Sequence, residues 1–524
     1  MRRGDDGKPG GWGRRLAWAL ILVGLAVEPP ERHDRAHARP SAADRARRRP
    51  NLLILIGDDH AAGTLGVDGD PRRATPHLDA LARQGVRFDR AYCNSPLCTP
   101  SRASLITGRL PHAAGVTRLT TPLPADALTL GAWLGDLGYD TAAYGKMHFN
   151  ADHGGDDRHG FADRLDTDDW ERWLDRNPPP EGDRRTKWRP FRSPPPEWLN
   201  ADTRPFGLPD AAMESSFYVR AARTFLDAHR PDRDAPPFAL VVGLYEPHAP
   251  FKFPDGWQPH YRAADFPDQP ATDRDRADRP QVFAGLTAAQ GRGIAASYYT
   301  SLGYMDRQVG RVLAALDEAG LADDTVVVYL GDNGYLLGEH GRFEKHCFYE
   351  GAVRVPLIVR RPGVVAPDRR VDALVELVDV VPTVLDLLGE PAPPGLHGRS
   401  LAGLLRGDPG ARGRDVVVSE LLENEEAMAR SDRYKLVVAM NGRRRQDGYA
   451  PMVAPTGPTE RLFDLQADPR EDVDLSTRPD LAPVADGLRR ALLDRLRSTR
   501  DGGTPVPPGL DDAAALRWCL TPQD

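Results

Sequence analysis

Three runs of apolar residues, each of strand length, constrain the fold of this chain most strongly. Residues 51–56 read Asn-Leu-Leu-Ile-Leu-Ile, residues 238–244 read Phe-Ala-Leu-Val-Val-Gly-Leu, and residues 325–330 read Thr-Val-Val-Val-Tyr-Leu. None of them alternates between apolar and polar positions, so each predicts a strand that is buried on both faces. Helical patterns separate the runs, and the longest covers 288–319 and stops at Gly320. This alternation predicts an α/β fold in which helices cover both faces of a large, mostly parallel sheet.

Polar residues follow four of the predicted strands directly, where each strand ends. The fourth strand is predicted over residues 140–144. The polar groups are Asp58 with Asp59, Lys146 with His148, His248, and Asp332 with Asn333. In open α/β sheets, ligands bind beyond the carboxyl ends of the strands. We therefore expect these scattered residues to meet at one edge of the sheet.

Two of these groups offer only oxygen atoms as ligands. Asp58, Asp59 and Asp332 supply carboxylates, and Asn333 supplies an amide oxygen. Oxygen-only sites suit Ca²⁺ or Mg²⁺ better than zinc. Gly-Asp-Asp or Asp-Asn-Gly in isolation more often forms a turn. Together, at two strand ends, the four residues predict a divalent metal site.

The segment around Cys98 has the pattern of a helix start. Thr99 can cap a helix, and Pro100 suits its first turn because proline lacks the N–H that would be unpaired there. Cys98 is therefore expected just ahead of a helix N-terminus, where anions are favoured, and Arg102 would add positive charge. From its residue type alone, Cys98 is either a small buried hydrophobe or a thiolate nucleophile of lowered pKa.

A resemblance to a known family adds a third interpretation of Cys98. Cys-Thr-Pro-Ser-Arg at 98–102, followed by Ala-Ser-Leu-Ile-Thr-Gly-Arg at 103–109, resembles the signature of the type I sulfatases. Further segments resemble that family in the same order: Gly-Lys-Met-His at 145–148, Pro-His-Ala-Pro at 247–250, Gly-Glu-His-Gly at 338–341 and Glu-Lys-His at 344–346. Met147 replaces the usual aromatic residue. The resemblance covers most of residues 50–470 and is nearest to the choline-sulfatase and iduronate-sulfatase members.

The resemblance implies an alkaline-phosphatase-like fold and a sulfuric ester hydrolase. In that family the cysteine is oxidised to formylglycine by the formylglycine-generating enzyme, and the aldehyde hydrate attacks a sulfate monoester. Alcohol and inorganic sulfate are released, and a divalent cation, usually Ca²⁺ with Mg²⁺ as the alternative, assists. Carried over to this sequence, the metal ligands are Asp58, Asp59, Cys98, Asp332 and Asn333, and the catalytic residues are Cys98, Arg102, Lys146, His148, His248 and Lys345.

The implied roles of the catalytic residues follow from their charge. Arg102, Lys146 and Lys345 would stabilise the sulfate oxygens. His248 would protonate the leaving alcohol, and His148 would deprotonate the second hydroxyl of the hydrate. Taken singly, the lysines would be solvated surface residues and the histidines hydrogen-bonded loop residues.

Two other functions remain open from the sequence. A phosphomonoester or phosphonate monoester hydrolase would use the same site, and a non-catalytic binding protein would keep Cys98 unmodified. The expected substrate is a small-molecule or saccharide sulfate ester. Lys and Arg number 69 against 76 Asp and Glu, which gives a net charge of −7 and no support for nucleic-acid binding. The sequence does not indicate the oligomeric state.

The chain is expected to have three parts. They are a signal peptide, short anchor or disordered N-terminus over 1–49, a catalytic domain over 50–408, and an α+β unit with a small antiparallel sheet over 409–524. The apolar run of residues 16–27 follows two arginines, which favours export to the periplasm or outside the cell over a cytoplasmic location. An irregular insertion over 151–237, with a helix near residues 217–229, and a polar loop over 251–285 are expected to shape the pocket.

Overall fold

The computed structural model describes residues 49–149, 158–179, 194–443, 448–453, 455–500 and 504–522. An eight-stranded sheet forms its centre, with the strand order β4-β3-β5-β1-β6-β7-β2-β8. The strands are β1 (Asn51–Gly57), β2 (Val86–Tyr92), β3 (Asp140–Gly145), β4 (Asp163–Leu165), β5 (Phe238–Leu244), β6 (Thr325–Gly331), β7 (Arg354–Arg360) and β8 (Arg369–Glu376).

The four strands with polar residues at their ends are neighbours in this sheet. β3, β5, β1 and β6 pair in parallel, so that Ile54 lies beside Val241 on one side and Val328 on the other. β7 is antiparallel to both β6 and β2, and β2 is parallel to β8. Every residue of β1, β5 and β6 is buried. The prediction of a large, mostly parallel sheet is confirmed.

Helices cover both faces of the central sheet, as the continuous apolar strands predicted. The α-helices are α1 (Pro76–Gln84), α2 (Cys98–Thr107), α3 (Pro111–Ala114), α4 (Leu130–Asp136), α5 (Thr167–Arg176), α6 (Pro195–Trp198), α7 (Glu214–Ala228), α8 (Asp273–Asp278), α9 (Ala288–Glu318), α10 (Glu350–Val353), α11 (Val380–Leu388), α12 (Ala402–Arg406), α13 (Ala482–Ser498) and α14 (Asp512–Leu520). Leu53 faces the core that contains Leu302 of α9, whereas Ile54 faces the core that contains Val384 of α11. Alternate strand residues therefore contribute to two separate apolar layers.

A second, antiparallel sheet lies in the C-terminal part of the chain. Its strands are β9 (Val417–Leu421), β10 (Glu426–Arg430), β11 (Tyr434–Ala439) and β12 (Thr459–Asp464), in the order β12-β11-β10-β9. Leu492 of α13 and Leu516 of α14 share an apolar cluster with Leu436 of β11. The predicted smaller α+β unit is therefore present, while the proposed boundary at residue 408 stays a prediction.

The predicted insertion over 151–237 contains more regular structure than its weak periodicity indicated. The structure places β4, α5 and α6 there, and α7 matches the helix that was predicted near residues 217–229. Residues 1–48 lie outside the described residues, so the signal or anchor segment and the export that it implies stay predictions. Among the described helices, none is long and apolar enough to cross a membrane.

Candidate active site

Residues from five strands and one helix start meet at the carboxyl edge of the central sheet. Asp58 follows β1, Lys146 follows β3, and Asp332 follows β6. His248 lies four residues beyond β5, and Cys98 opens α2 after β2. Gly145 at the end of β3 has φ +97, and a Cβ atom there would collide with the carbonyl oxygen of Gly243. This glycine permits the close strand approach that directs Lys146 inward.

Cys98 lies at the centre of this cluster. Its Sγ atom is 2.6 Å from Lys345 Nζ, 3.5 Å from Asp58 Oδ1 and 3.9 Å from Lys146 Nζ. The side chain is 1% exposed. Burial raises the pKa of its thiol to about 12, although both lysines oppose the shift. This upward shift favours the neutral thiol and argues against the interpretation of Cys98 as a thiolate nucleophile of lowered pKa.

The start of α2 differs from the expected cap. Leu97, rather than Thr99, is the N-cap residue, and no side chain caps the helix. Cys98 is therefore inside the first turn. Thr99 instead donates its hydroxyl hydrogen to the carbonyl oxygen of Leu119, at 2.9 Å, and lies 3.1 Å from His148 Nδ1. Thr99 thus links the helix start to a predicted catalytic histidine.

The paired aspartates are buried and each contacts a lysine. Asp58 forms an ion pair with Lys146, and Asp59 forms one with Lys345. Burial alone would raise the pKa of each carboxyl group, but the neighbouring ammonium groups lower both pKa values below the usual range. The field of Asp59 likewise overcomes burial and raises the pKa of Lys345 well above its usual value. These shifts favour the charged forms of Asp58, Asp59 and Lys345 at neutral pH.

Arg102 is also buried, but its contacts are structural. Its Nε donates a hydrogen bond to Asp332 Oδ2 at 2.7 Å, and Nη1 donates to the carbonyl oxygen of Lys146. Nη2 lies 3.7 Å from Asp58 Oδ1. The guanidinium thus connects α2 to the ends of three strands, and its predicted contact with sulfate stays a prediction.

The oxygen ligands fit a divalent cation. Asn333 donates its amide hydrogens to Asp59 Oδ1 at 2.7 Å and to the carbonyl oxygen of Gly334 at 2.9 Å. Its Oδ1 atom is buried and accepts no hydrogen bond within the described part of the chain. Ligand atoms of Asp58, Asp59, Cys98 and His248 all lie within 4.8 Å of one another. A buried carbonyl oxygen without a donor, beside two carboxylates, matches the ligands that Ca²⁺ and Mg²⁺ prefer.

The two predicted histidines lie at the mouth of the cluster. His248 donates its Nδ1 hydrogen to the carbonyl oxygen of Ala249 at 2.6 Å, which leaves Nε2 3.8 Å from Asp59 Oδ2. Burial lowers the pKa of His248 to about 4 and that of His148 well below its usual value. His148 and Asp59 both have positive φ angles, 55 and 63. Non-glycine residues in that region cost about 1–3 kcal/mol each and concentrate at functional sites.

A cavity of about 1000 Å³ opens onto these residues. Cys98, Lys146, His148, His248 and Lys345 line it. Its outer walls include the aromatic residues Trp170, Trp198, Tyr245, Tyr335 and Tyr449. Trp170 and Trp198 are buried while also contributing to the wall.

Sequence reasoning did not single out three residues of this wall. They are Tyr245, Lys252 and Glu214. Tyr245 lies beside the Pro-His-Ala-Pro motif, so its position offered a signal. The other two offered none, because Glu214 lies inside a helix and Lys252 within a predicted loop.

Comparisons with known proteins agree with this geometry. The sulfatase family model matches residues 50–390, and a model of the N-sulphoglucosamine sulphohydrolase C-terminal region matches residues 338–498. A choline-sulfatase of Rhizobium meliloti is 30% identical over 90% of this chain and 91% of its own length. Human iduronate 2-sulfatase is 27% identical over 73% of this chain and 75% of its own. The structure of a phosphonate monoester hydrolase of Agrobacterium radiobacter superposes with a TM-score of 0.72 at 24% identity, covering 86% of this chain and 96% of the other.

Proposed function

This chain belongs to the sulfatase family, and on that premise we propose that it hydrolyses a sulfate monoester with a formylglycine derived from Cys98 and a divalent cation held beside it. One observation carries the proposal. The ammonium groups of Lys345 and Lys146 lie 2.6 Å and 3.9 Å from Cys98 Sγ, next to the buried carboxylate of Asp58. Two fixed cations around one oxidisable side chain suit a small oxyanion that gains charge during reaction.

The cation would be held by Asp58, Asp59, Asp332 and Asn333, together with the side chain of residue 98. We propose Ca²⁺, with Mg²⁺ as the alternative, because every protein ligand other than residue 98 offers oxygen. When bound, the cation neutralises sulfate charge and makes an oxygen nucleophile easier to ionise.

The remaining residues handle charge and protons. Lys146 and Lys345 would bind the non-bridging sulfate oxygens. The hydrate of the proposed formylglycine supplies the oxygen nucleophile, and His248 Nε2 would protonate the leaving alcohol. His148 would then take the proton of the second hydroxyl, so that sulfate is released and the aldehyde returns. Burial lowers the pKa of His248 to about 4, so the negative charge of a bound ester is needed to favour its protonated form.

The substrate we propose is a small-molecule or saccharide sulfate ester whose alcohol fits the cavity of about 1000 Å³. The relatives named choline-sulfatase and iduronate 2-sulfatase span both classes. A phosphate or phosphonate monoester hydrolase would use the same ammonium groups, and a binding protein would leave Cys98 as a thiol.

Peptide mass spectrometry on protein from a host with the formylglycine-generating enzyme tests the nucleophile. We expect an aldehyde at residue 98 and faster turnover of an aryl sulfate than of the matched aryl phosphate and phosphonate. Cys98→Ala should abolish turnover. Cys93→Ala is the matched control, because Cys93 is equally buried but its Sγ atom lies 3.9 Å from the carbonyl oxygen of Ala352 and has no lysine beside it among the described residues. A thiol at residue 98 in active protein would contradict the proposed nucleophile, and faster phosphate turnover would contradict the proposed substrate class.

A further inference from the structure

Tyr245 contacts two of the predicted catalytic residues, although it belongs to none of the motifs that identified them. It follows β5 directly and lines the cavity. Its ring centroid lies 5.0 Å from that of His248, with 64° between the ring planes. The same centroid lies 5.1 Å from Lys146 Nζ. One aromatic ring therefore contacts both the proposed proton donor and one of the proposed sulfate-binding ammonium groups.

The hydroxyl group of Tyr245 shares an acceptor with His248. It donates to the carbonyl oxygen of Ala249 at 3.1 Å, and His248 Nδ1 donates to the same oxygen at 2.6 Å. With Nδ1 held in this way and the ring of Tyr245 against its side, the imidazole presents Nε2 to the cavity and to Asp59. Rotation of the imidazole would break one of these contacts.

The ring of Tyr245 is itself anchored by a buried ion pair. Lys252 Nζ lies 4.0 Å from the ring centroid and 3.3 Å from Glu214 Oε2. Glu214 also accepts hydrogen bonds from Thr167 at 2.8 Å and Tyr218 at 3.0 Å. Side chains of α5, α7 and the loop after β5 thus hold Tyr245 in one orientation. An ammonium group over the face of a desolvated ring is attracted by the ring's negative face.

We propose that Tyr245 is a positioning residue for sulfate ester hydrolysis, which orients the imidazole of His248 and the ammonium group of Lys146. This inference rests on the proposed function, in which His248 protonates the leaving alcohol. Small displacements of a catalytic group are costly because reaction requires a narrow range of distances and angles. Loss of a positioned general acid affects most strongly those esters whose alcohol is a poor leaving group.

The test compares two sulfate esters that differ in leaving-group ability, an unactivated alkyl sulfate and 4-nitrophenyl sulfate. Tyr245→Leu should lower kcat for the alkyl ester by about 10- to 100-fold, and for the nitrophenyl ester by only about two- to fivefold. Tyr245→Phe keeps the ring and should give a smaller difference in the same direction. If the leucine variant fails to fold, the phenylalanine variant decides.

Tyr335→Phe is the matched control. Tyr335 lines the same cavity, but its hydroxyl donates to the carbonyl oxygen of Phe343 at 2.6 Å and its ring packs on Phe251 and Tyr298. Removal of the Tyr335 hydroxyl should change kcat for both esters by the same factor. If the Tyr245 variants lose kcat equally for both esters, or lose none, the positioning role is overturned. Turnover by the wild-type enzyme would still support the proposed function in that case. A mature wild-type enzyme that cleaves neither ester would overturn both.

Discussion

Charge balance decides what the individual residues of this site can do. Three buried cationic side chains, Arg102, Lys146 and Lys345, face three buried carboxylates. Buried charges are tolerated only when paired and hydrogen-bonded, since removal of one partner leaves an uncompensated charge. Asn333 Oδ1 is buried and accepts no hydrogen bond among the described residues. A bound cation would satisfy this oxygen.

Replacement of Asn333 should weaken divalent metal binding. For Asn333→Ala we expect a lower calcium affinity and a smaller rise in melting temperature on calcium addition. A ligand at one hundred times its Kd stabilises the folded state by about 2.7 kcal/mol, so chelation of wild-type protein should lower the melting temperature measurably. Asn200→Ala is the control, because Asn200 is also buried but its Oδ1 accepts from the backbone of Arg204. An unchanged calcium titration in Asn333→Ala would contradict the ligand assignment.

Glu246 should make stability depend on pH. It is buried, its Oε1 accepts no hydrogen bond among the described residues, and burial raises its pKa to about 7 from an ordinary 4.5. Because the pKa of Glu246 is raised in the folded state, its contribution to stability is fully present below pH 4.5 and is lost as pH rises through 7. Wild-type protein should therefore lose up to about 3 kcal/mol relative to Glu246→Gln between pH 4.5 and 8, at about 1.4 kcal/mol per unit. Denaturant unfolding at both ends of that range measures the difference, and a constant difference would show that the pKa of Glu246 is the same in the folded and unfolded states.

The elements that sequence reasoning found are those whose pattern needs no tertiary context. β1, β5 and β6 are buried on both faces, so their apolar runs were unambiguous. β8 and β10 were missed, because Arg-Arg-Val-Asp-Ala-Leu-Val-Glu and Glu-Ala-Met-Ala-Arg carry few β-branched residues and gain their stability from neighbouring strands. The strand ends predicted that Asp58, Lys146 and Asp332 would meet at one edge of the sheet, and the structure places them there. The contact between Tyr245 and Lys146 could not be predicted from the sequence, because it depends on the side-chain directions of two residues far apart in the chain.

A buried lysine of the antiparallel sheet contacts the loop that carries Lys345. Lys435 of β11 donates to the carbonyl oxygen of Phe348 at 2.6 Å and pairs with Glu350, at 3.2 Å, and with Glu471. Lys435→Met should cost about 3–5 kcal/mol, because it leaves buried carboxylates unpaired. Turnover should also fall, since Phe348 lies three residues from Lys345. Arg433→Met provides the comparison: its pair with Asp464 is half exposed and should be worth less than about 1 kcal/mol. Equal losses of unfolding free energy in the two variants would contradict this connection.

At the scale of the whole molecule, two sheets and an insertion enclose one cavity. The central sheet supplies its floor, α5 and α6 supply Trp170 and Trp198, and Glu423 comes from the segment after β9. The deep part of the cavity is balanced in charge. In the outer part Lys252 is paired with Glu214, and Glu344 is paired with Arg342. The carboxylates of Asp168, Glu171 and Glu423 form no ion pair among the described residues.

This outer wall should select against additional negative charge on the substrate. Among aryl sulfates of equal leaving-group ability, we expect higher kcat/KM for a neutral or trimethylammonium-bearing ester than for a carboxylate-bearing one. The preference should weaken at high ionic strength, because exposed charges are screened. Glu171→Gln and Asp168→Asn should each reduce it by about two- to fivefold, the effect of one partly exposed charge. Asp175→Asn changes the net charge equally, but it lies on the exposed side of α5 and does not line the cavity. It should leave the ratio unchanged. If the carboxylate-bearing ester is turned over fastest, then cationic groups rather than these acidic residues face the distal part of the substrate.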